Sequence, residues 1–432
     1  MKKAFGGFRM ALALGLFLTT YASLLSFPKL RAYTALASAA LFVALGILPA
    51  DKVFSAVDWN VLMMIAGTMG VVYLFIESRM PALMADHIIN LMPNVKWVMI
   101  SLALFAGLIS AFVDNVATVL MVAPVALMVA RKLRISPVPG IIAIAVSSNL
   151  QGAATLVGDS TSILLGGAAG MDFLDFFYYH GRPGMFFIVQ VGALVSCLVL
   201  LVLFRKHSQK VEMMEKTVVT DRFPTVLLAG TVLLLIVASF IPGKPAVTNG
   251  LICMGLMLVG LVREAVRRRD LKGTAAAMLK EIDFFTLLLL AGLFVVIAGI
   301  TEAGVVTEIS RLFVRLSSGN LFAIYSLLVW ASVLLSAFID NIPYVATMLP
   351  VTAGIARLMG VDPTILYFGL LAGATLGGNL TPIGASANIT ALGILRKHGY
   401  EVKPLEFMRI SVPFTLVAVL SGYVLIWLFW AP

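Results

Sequence analysis

The chain has 432 residues, 61% hydrophobic and 12% charged, with a mean hydropathy of +1.03. A soluble domain carries about 25% charged residues, and one of this composition would expose apolar patches it could not cover. The composition therefore excludes a soluble protein and leaves a polytopic membrane protein.

The net charge of +10 does not build a nucleic-acid surface. The cations stand in short loops between apolar runs, as in "RKLR" at 131–134 and "RRR" at 267–269, where they act as topology signals. Cys197 and Cys253 lie inside apolar segments and read as core. His87, His180, His207 and His398 show no ligand spacing, so no protein-bound metal centre is suggested.

In chain order, "MKKAFGGFRMALALGLFLTTYASLLSF" reads as a first transmembrane helix at about 9–27. Its apolar stretch is long for a cleaved leader, and another apolar run follows. A second helix is predicted at 33–49 and a third at 59–77. An amphipathic stretch, "MPALMADHIINLM" at 80–92, should lie along the interface. A hairpin around 95–130 then turns on Asp114–Asn115, a span broken by Gly-rich sequence covers 138–170, and a helix at 183–204 closes the half. After the polar linker "RKHSQKVEMMEKTVVTDR" (205–222) the order recurs. Helices are predicted at 223–241, 246–262 and 284–302, with an amphipathic stretch at 305–316. A hairpin around 320–356 turns on Asp340–Asn341, a broken span covers 363–395, and a last helix runs over 412–430.

The recurrence holds in the letters. "SAFVDN" begins at Ser110 and "SAFIDN" at Ser336, 226 positions later. Pro124 and Pro350 keep that register, as do "TLVGDSTSI" (155–163) and "TPIGASANI" (381–389). Asp58 and Glu77 match Asp283 and Glu302 at an offset of 225. The fold class is thus an all-α polytopic membrane protein of two repeats, 1–222 and 223–432. Each is expected to hold five transmembrane helices, a re-entrant hairpin and a broken helix. A hairpin adds an even number of crossings, so each half crosses an odd number of times and the second is inverted. With the linker cytoplasmic, the inner loops hold 22 of the 31 Lys and Arg and the outer side 9. That bias places both termini outside.

Three acids, Asp114, Asp159 and Asp340, fall within apolar spans, where each costs about 2.5–3.5 kcal/mol on insertion scales. No Lys or Arg shares those spans. A single buried acid is explained by bonds to backbone or a hydroxyl. Three at repeat-related places point to cation or proton handling. "NLQGAATLVGDSTSILLGGAAG" (149–170) and "LGGNLTPIGASANITALG" (376–393) supply the second element. Unwound backbone at membrane depth lines a cavity, and its polar groups then hold ions or substrate. Close helix packing is the other use of such small residues.

On "SAFVDN", "SAFIDNIPYVATMLP" and "GGNLTPIGASANITALGILRKHGY", the chain resembles the ion transporter superfamily. The likeness is to its branch of arsenite permeases, sodium–proton antiporters and P-proteins (pink-eyed dilution), and it covers nearly the whole chain. It implies re-entrant hairpins tipped by Asp114–Asn115 and Asp340–Asn341, meeting helix breaks at Gly158–Ser162 and Gly384–Asn388. It also implies a homodimer and elevator-type alternating access. Two departures stand out. The dicarboxylate symporters carry Ser-Asn-Thr at each tip, whereas Asp114-Asn115-Val116 and Asp340-Asn341-Ile342 would repel a dianion. The first break reads "GDSTS" where the branch often has Gly-Asp-Pro-Pro-Asn, so Ser160, Thr161 and Ser162 offer hydroxyls in place of an amide.

The expected function is secondary active transport, coupled to H⁺ or Na⁺, with no cofactor. Arsenite or antimonite efflux leads, and sodium–proton antiport is the alternative. The binding set is Asp114, Asn115, Gly158, Asp159, Ser160, Thr161, Ser162, Asp340, Asn341, Asn379, Thr381, Gly384, Ser386 and Asn388. Sodium is expected at Asp114, Asn115 and Asp159 and at Asp340, Asn341 and Asn388. Asp159 pairs in the repeat with Ala385 and Ser162 with Asn388. The first half is then the proton site, and the second the more neutral, substrate-facing one. The expected partners are a small inorganic ion or oxyanion, the bilayer, a second copy and, for an arsenite pump, a soluble ATPase subunit. The expected location is a prokaryotic inner membrane. An intramembrane aspartyl protease fits poorly, because Leu156 stands where its motif needs Gly. A channel does not call for an inverted repeat. The protein is not expected to be an enzyme.

Overall fold

The computed structural model describes residues 2–133, 135–210 and 217–432, with the side chains of 2–6 left aside. Arg134 of the basic run and the middle of the linker lie outside it. The first half runs α1 (Lys2–Ser26), α2 (Arg31–Ala44), the single turn α3 (Val53–Ala56), α4 (Trp59–Glu77) and the amphipathic α5 (Met80–Leu91). Hairpin helices α6 (Val95–Ser110) and α7 (Asn115–Lys132) follow, then the broken pair α8 (Val138–Gly152) and α9 (Ser160–Ala169), then α10 (Met185–Leu203).

The second half repeats this as α11 (Phe223–Ser239), α12 (Thr248–Arg268), α13 (Leu271–Glu281), α14 (Phe284–Glu302) and α15 (Val305–Leu316). Its hairpin is α16 (Leu321–Ser336) and α17 (Asn341–Met359), its broken pair α18 (Thr364–Gly377) and α19 (Ser386–Lys397), and its last helix α20 (Pro404–Trp430). Among the described residues eight helices are long and apolar enough to cross a membrane. The one sheet there is a two-residue ribbon, Tyr178–Tyr179 with Arg182–Pro183.

Matching sequence positions start matching helices. Asp58 accepts from the Val61 amide and Asp283 from the Thr286 amide, both at 3.0 Å. Asn94 and Asn320, 226 positions apart, cap the first arm of each hairpin. Each satisfies an amide that the first helical turn leaves unpaired. α4 packs on α12 and α14 on α2. A Cβ on Gly67 would stand 2.6 Å from the Met254 nitrogen, and one on Gly292 2.8 Å from that of Leu36. These glycines, at the same register, let the backbones meet, as small residues do between membrane helices.

Contacts fix the two faces. Glu77 pairs with Arg268, Arg263 with Asp221, and the Val95 amide donates to the Gln209 carbonyl, so the linker and the base of the first hairpin share one face. Lys52 pairs with Glu302 and Lys244 with Asp172, and the Trp430 indole donates to the Pro183 carbonyl on the other face. Gly360 and Asp362, at the base of the second hairpin, share a cleft with Arg182 on that opposite face. The hairpins therefore enter from opposite faces, as an inverted repeat requires.

Several boundaries depart from the sequence reading: α1 starts at Lys2 rather than 9, and α2 ends at Ala44 rather than 49. α12 runs through the arginine cluster, because Glu264 pairs with Arg267 and Arg268 one turn on. α20 starts eight residues early and carries Pro413 inside it. α5 also departs from a purely interfacial helix. Its Asp86 is buried and accepts from the Thr217 amide at 2.8 Å, which ties the linker down.

Candidate functional site: hairpin tips against helix breaks

The paired Ser-Ala-Phe words are explained by packing. Gly158, at the first break, lies where a Cβ would sit 2.9 Å from the Ser110 carbonyl oxygen and 3.0 Å from that of Ala111. Gly384, at the second, would meet the Ala337 and Ser336 oxygens at 2.8 and 2.9 Å. Thr155 donates to the Ala111 carbonyl and Thr381 to that of Ala337. Each hairpin tip thus seats its Ser-Ala backbone on a glycine of its own half's break.

The acids follow. Asp114 is the N-cap of α7. Its Oδ1 accepts from the Val116 and Ala117 amides at 3.0 and 3.2 Å. Asp340 is the N-cap of α17, its Oδ1 accepting from Ile342 at 3.1 Å. Capping accounts for an acid at each tip and occupies one oxygen of each. The second oxygens differ. Among the described residues no side chain bonds Oδ2 of Asp114, whereas Oδ2 of Asp340 accepts from Arg31 Nη1 at 3.2 Å. No Lys or Arg shares the spans of these acids, yet one of them meets a fixed cation. The cation arrives from α2, 309 residues away in sequence, and so shares no span with the acid.

Asp159, 4% exposed, accepts on Oδ2 from the Thr161 hydroxyl at 2.9 Å and from Asn341 Nδ2 at 3.2 Å. The second hairpin's amide thus reaches the first half's carboxylate. Asn115 Nδ2 donates to Asn149 Oδ1 at 2.8 Å, and Asn149 in turn donates to Asn379 Oδ1 and the Thr375 carbonyl at 3.1 and 2.8 Å. Asn379 completes the bridge by donating to the Val146 carbonyl at 3.0 Å. The two halves are stitched by amides at their centre. Because an unsatisfied buried partner costs about 1–3 kcal/mol, Asn379→Ala should lower unfolding stability by that order, read as a lowered thermal midpoint in detergent.

A cavity of about 180 Å³ opens at this centre. Asp114, Asn115, Asp159, Ser160, Asn341 and Ser386 of the predicted set line it. Glu281, Asp283 and Thr286 form its mouth, with Met69, Val72, Tyr73 and Ile76 of α4 along the wall. Glu281 and Asp283 adjoin α12's arginine cluster in the chain, so the cavity opens toward the linker face. No Lys or Arg is among its described lining residues. A second cavity, about 770 Å³, opens on the opposite face between Asp58, Asn60 and the outer parts of α9 and α17.

Gly158, Thr161, Ser162, Asp340, Asn379, Thr381, Gly384 and Asn388 of the predicted set do not line the small cavity. Ser162 donates to the Gly152 carbonyl at 3.0 Å. Asn388 donates to those of Gly378 and Thr381, both at 3.0 Å, and its buried Oδ1 has no partner among the described residues. These two repeat-related residues hold the breaks open. Sequence reasoning missed Arg31, Glu281 and Thr286. It matched Asp283 to Asp58 without assigning it to a site.

A family model described as "CitMHS: Citrate transporter" matches residues 16–373 and 275–431. The chain belongs to the citrate transporter family. Within the ion transporter superfamily, this member is 32% identical over 428 residues to an uncharacterised transporter of Mycobacterium tuberculosis, covering 96% of this chain and 98% of the relative. It is 26% identical over 481 residues to the P protein of Mus musculus, covering 90% of this chain and 56% of that one. Among solved structures, the Alcanivorax borkumensis YdaH transporter matches with a TM-score of 0.62 at 15% identity, over 92% of this chain and 96% of that one. The Neisseria gonorrhoeae MtrF structure matches with a TM-score of 0.55 at 16% identity, over 88% and 85%. At such identities the likeness is one of fold. This citrate transporter family member is therefore a multi-pass membrane transporter.

Proposed function

We propose that this transporter is a cation-coupled secondary active carrier. In this reading it moves a small inorganic solute of the arsenite or antimonite kind out of the cell, taking H⁺ or Na⁺ at Asp114 and Asp159. The observation that carries this reading is the small cavity lined by carboxylates, amides and hydroxyls without a lining Lys or Arg. An uncharged trihydroxide suits amide and hydroxyl partners, and a cavity of that size is below the 300–1,000 Å³ of drug-sized ligand sites. The acid lining favours sodium–proton exchange as the second reading. The family's name raises citrate, but free citrate would meet Asp114, Asp159 and Asp283 with its charge uncancelled, so it would need cations bound beside it.

Alternating access in this reading moves the hairpins and broken helices past the pairs α2–α14 and α4–α12. Inverted hairpins and two cavities opening on opposite faces support it. Proteoliposomes compared for arsenite flux, sodium–proton exchange, and citrate flux with and without divalent cations test the reading. Citrate flux without either of the others would reject it.

The chain is proposed to lie in a prokaryotic inner membrane with the linker cytoplasmic. In intact cells a cysteine at Ser208 should then be shielded from an impermeant thiol reagent and one at His180 should react. The opposite pattern would reverse the orientation.

A further inference from the structure

The two hairpin tips repeat in sequence, yet among the described residues only one of the two carboxylates has a cationic partner. Arg31 Nη1 lies 3.2 Å from Asp340 Oδ2, with side-chain exposures of 19% and 18%. Its Nε donates to the Leu24 carbonyl at 3.0 Å, which orients the guanidinium from the turn between α1 and α2. That turn belongs to the body formed with α14, since Ala35 and Leu36 of α2 lie against Gly292. Nearby, the Tyr21 hydroxyl of α1 donates to the Pro343 carbonyl at 2.7 Å and bonds the Thr347 hydroxyl. The second hairpin is therefore docked on α1 and α2, while Asp114 faces an open cavity. Among the described residues, Asp283 at the start of α14 and Asp159 at the first break also lie within electrostatic reach of Asp340. Both are acids, so Arg31 is the only cation found at that carboxylate among the described residues.

We propose that Arg31 is a built-in counter-ion which occupies Asp340, so that a mobile cation is taken up only at the Asp114–Asp159 half. This deepens the coupling reading above, and rests on it only in taking the mobile species to be a cation. A tethered guanidinium differs from an ion in one way that matters: it cannot travel with the hairpin. In any motion of the hairpin against α2 the pair must part, and Asp340 is then briefly a free carboxylate. Arg31 is thus a positioning residue that sets which half couples, without touching the cavity.

The test uses the purified full-length chain in detergent, with thermal unfolding followed in alkaline buffer as sodium chloride replaces choline chloride. Wild type should show only the sodium-dependent rise in midpoint owed to the Asp114–Asp159 half, and Arg31→Gln, which strips Asp340 of its partner, should gain a further one. That gain should disappear in Arg31→Gln/Asp340→Asn, persist in Arg31→Gln/Asp114→Asn, and be abolished by restoring the charge with Arg31→Lys. No gain in Arg31→Gln, or a gain that survives Asp340→Asn, overturns the proposal. Should Arg31→Gln not fold, the double neutral variant decides. If it folds, the unpaired Asp340 was the fault and the pairing stands. If it also fails, the pairing is overturned. A wild type indifferent to sodium beside an Arg31→Gln that responds would remove sodium coupling while leaving the counter-ion assignment in place.

Discussion

Proteoliposomes carrying Asp159→Asn are expected to show solute flux no higher than empty vesicles, from a protein that still inserts and folds. The substitution keeps shape, and the amide oxygen can still accept from the Thr161 hydroxyl and from Asn341, the two donors that now converge on Oδ2. What it removes is the charge. Asp159 is 4% exposed and sits within electrostatic reach of Asp114 and Asp340. A carboxylate left there without a purpose would be an unrelieved cost in a membrane interior. Asn388→Ala makes the contrast. It removes the bonds to the Gly378 and Thr381 carbonyls that shape the second break, so it should lower thermal stability and solute affinity together. Measuring flux and thermal midpoint for both variants checks this. Wild-type flux from a folded Asp159→Asn protein would remove that residue from coupling.

Much of this architecture was legible because an inverted repeat writes each element twice. The third helices, 59–77 and 284–302, emerge with the predicted bounds, since each opens on a capping Asp and closes on a Glu at an offset of 225. The hairpins were legible because a Ser-Ala-Phe and an Asp-Asn that break an apolar run have few other uses. The Arg31–Asp340 pair was not. Nothing local to either residue points to the other, and Arg31 stands beside Lys29 in what reads as a loop signal. The repeat even misleads, for matching letters at the tips suggest matching electrostatics. The roles of Ser162 and Asn388 were hidden for a related reason. A polar residue beside a helix break can face the cavity or tie the break's own carbonyls, and the letters alone do not say which.

Replacing Gly158 or Gly384 with valine is expected to be the most damaging single change outside the charged groups. A Cβ at Gly158 would stand 2.7 Å from the Gly152 oxygen, 2.9 Å from that of Ser110 and 3.0 Å from that of Ala111. At Gly384 the same atom would meet Gly378, Ala337 and Ser336 oxygens at 2.6, 2.8 and 2.9 Å. All six contacts are to backbone, so no side chain can swing aside, and relief requires the hairpin tip to lift from the break. Lifting it would break the Thr155–Ala111 or Thr381–Ala337 bond and move the capping Asp three residues along. Overpacking in a close-packed interior typically costs 1–3 kcal/mol, and here the loss of a buried hydrogen bond adds about 1–3 kcal/mol more. Alanine should therefore lower the thermal midpoint and valine should prevent recovery of folded protein. The two halves should behave alike, because the seat is the same in both even where the charges are not. The discriminating measurement is size-exclusion recovery and thermal midpoint for Ala and Val at each glycine. A Gly158→Val chain that folds and transports would mean the hairpin tip does not rest on the break.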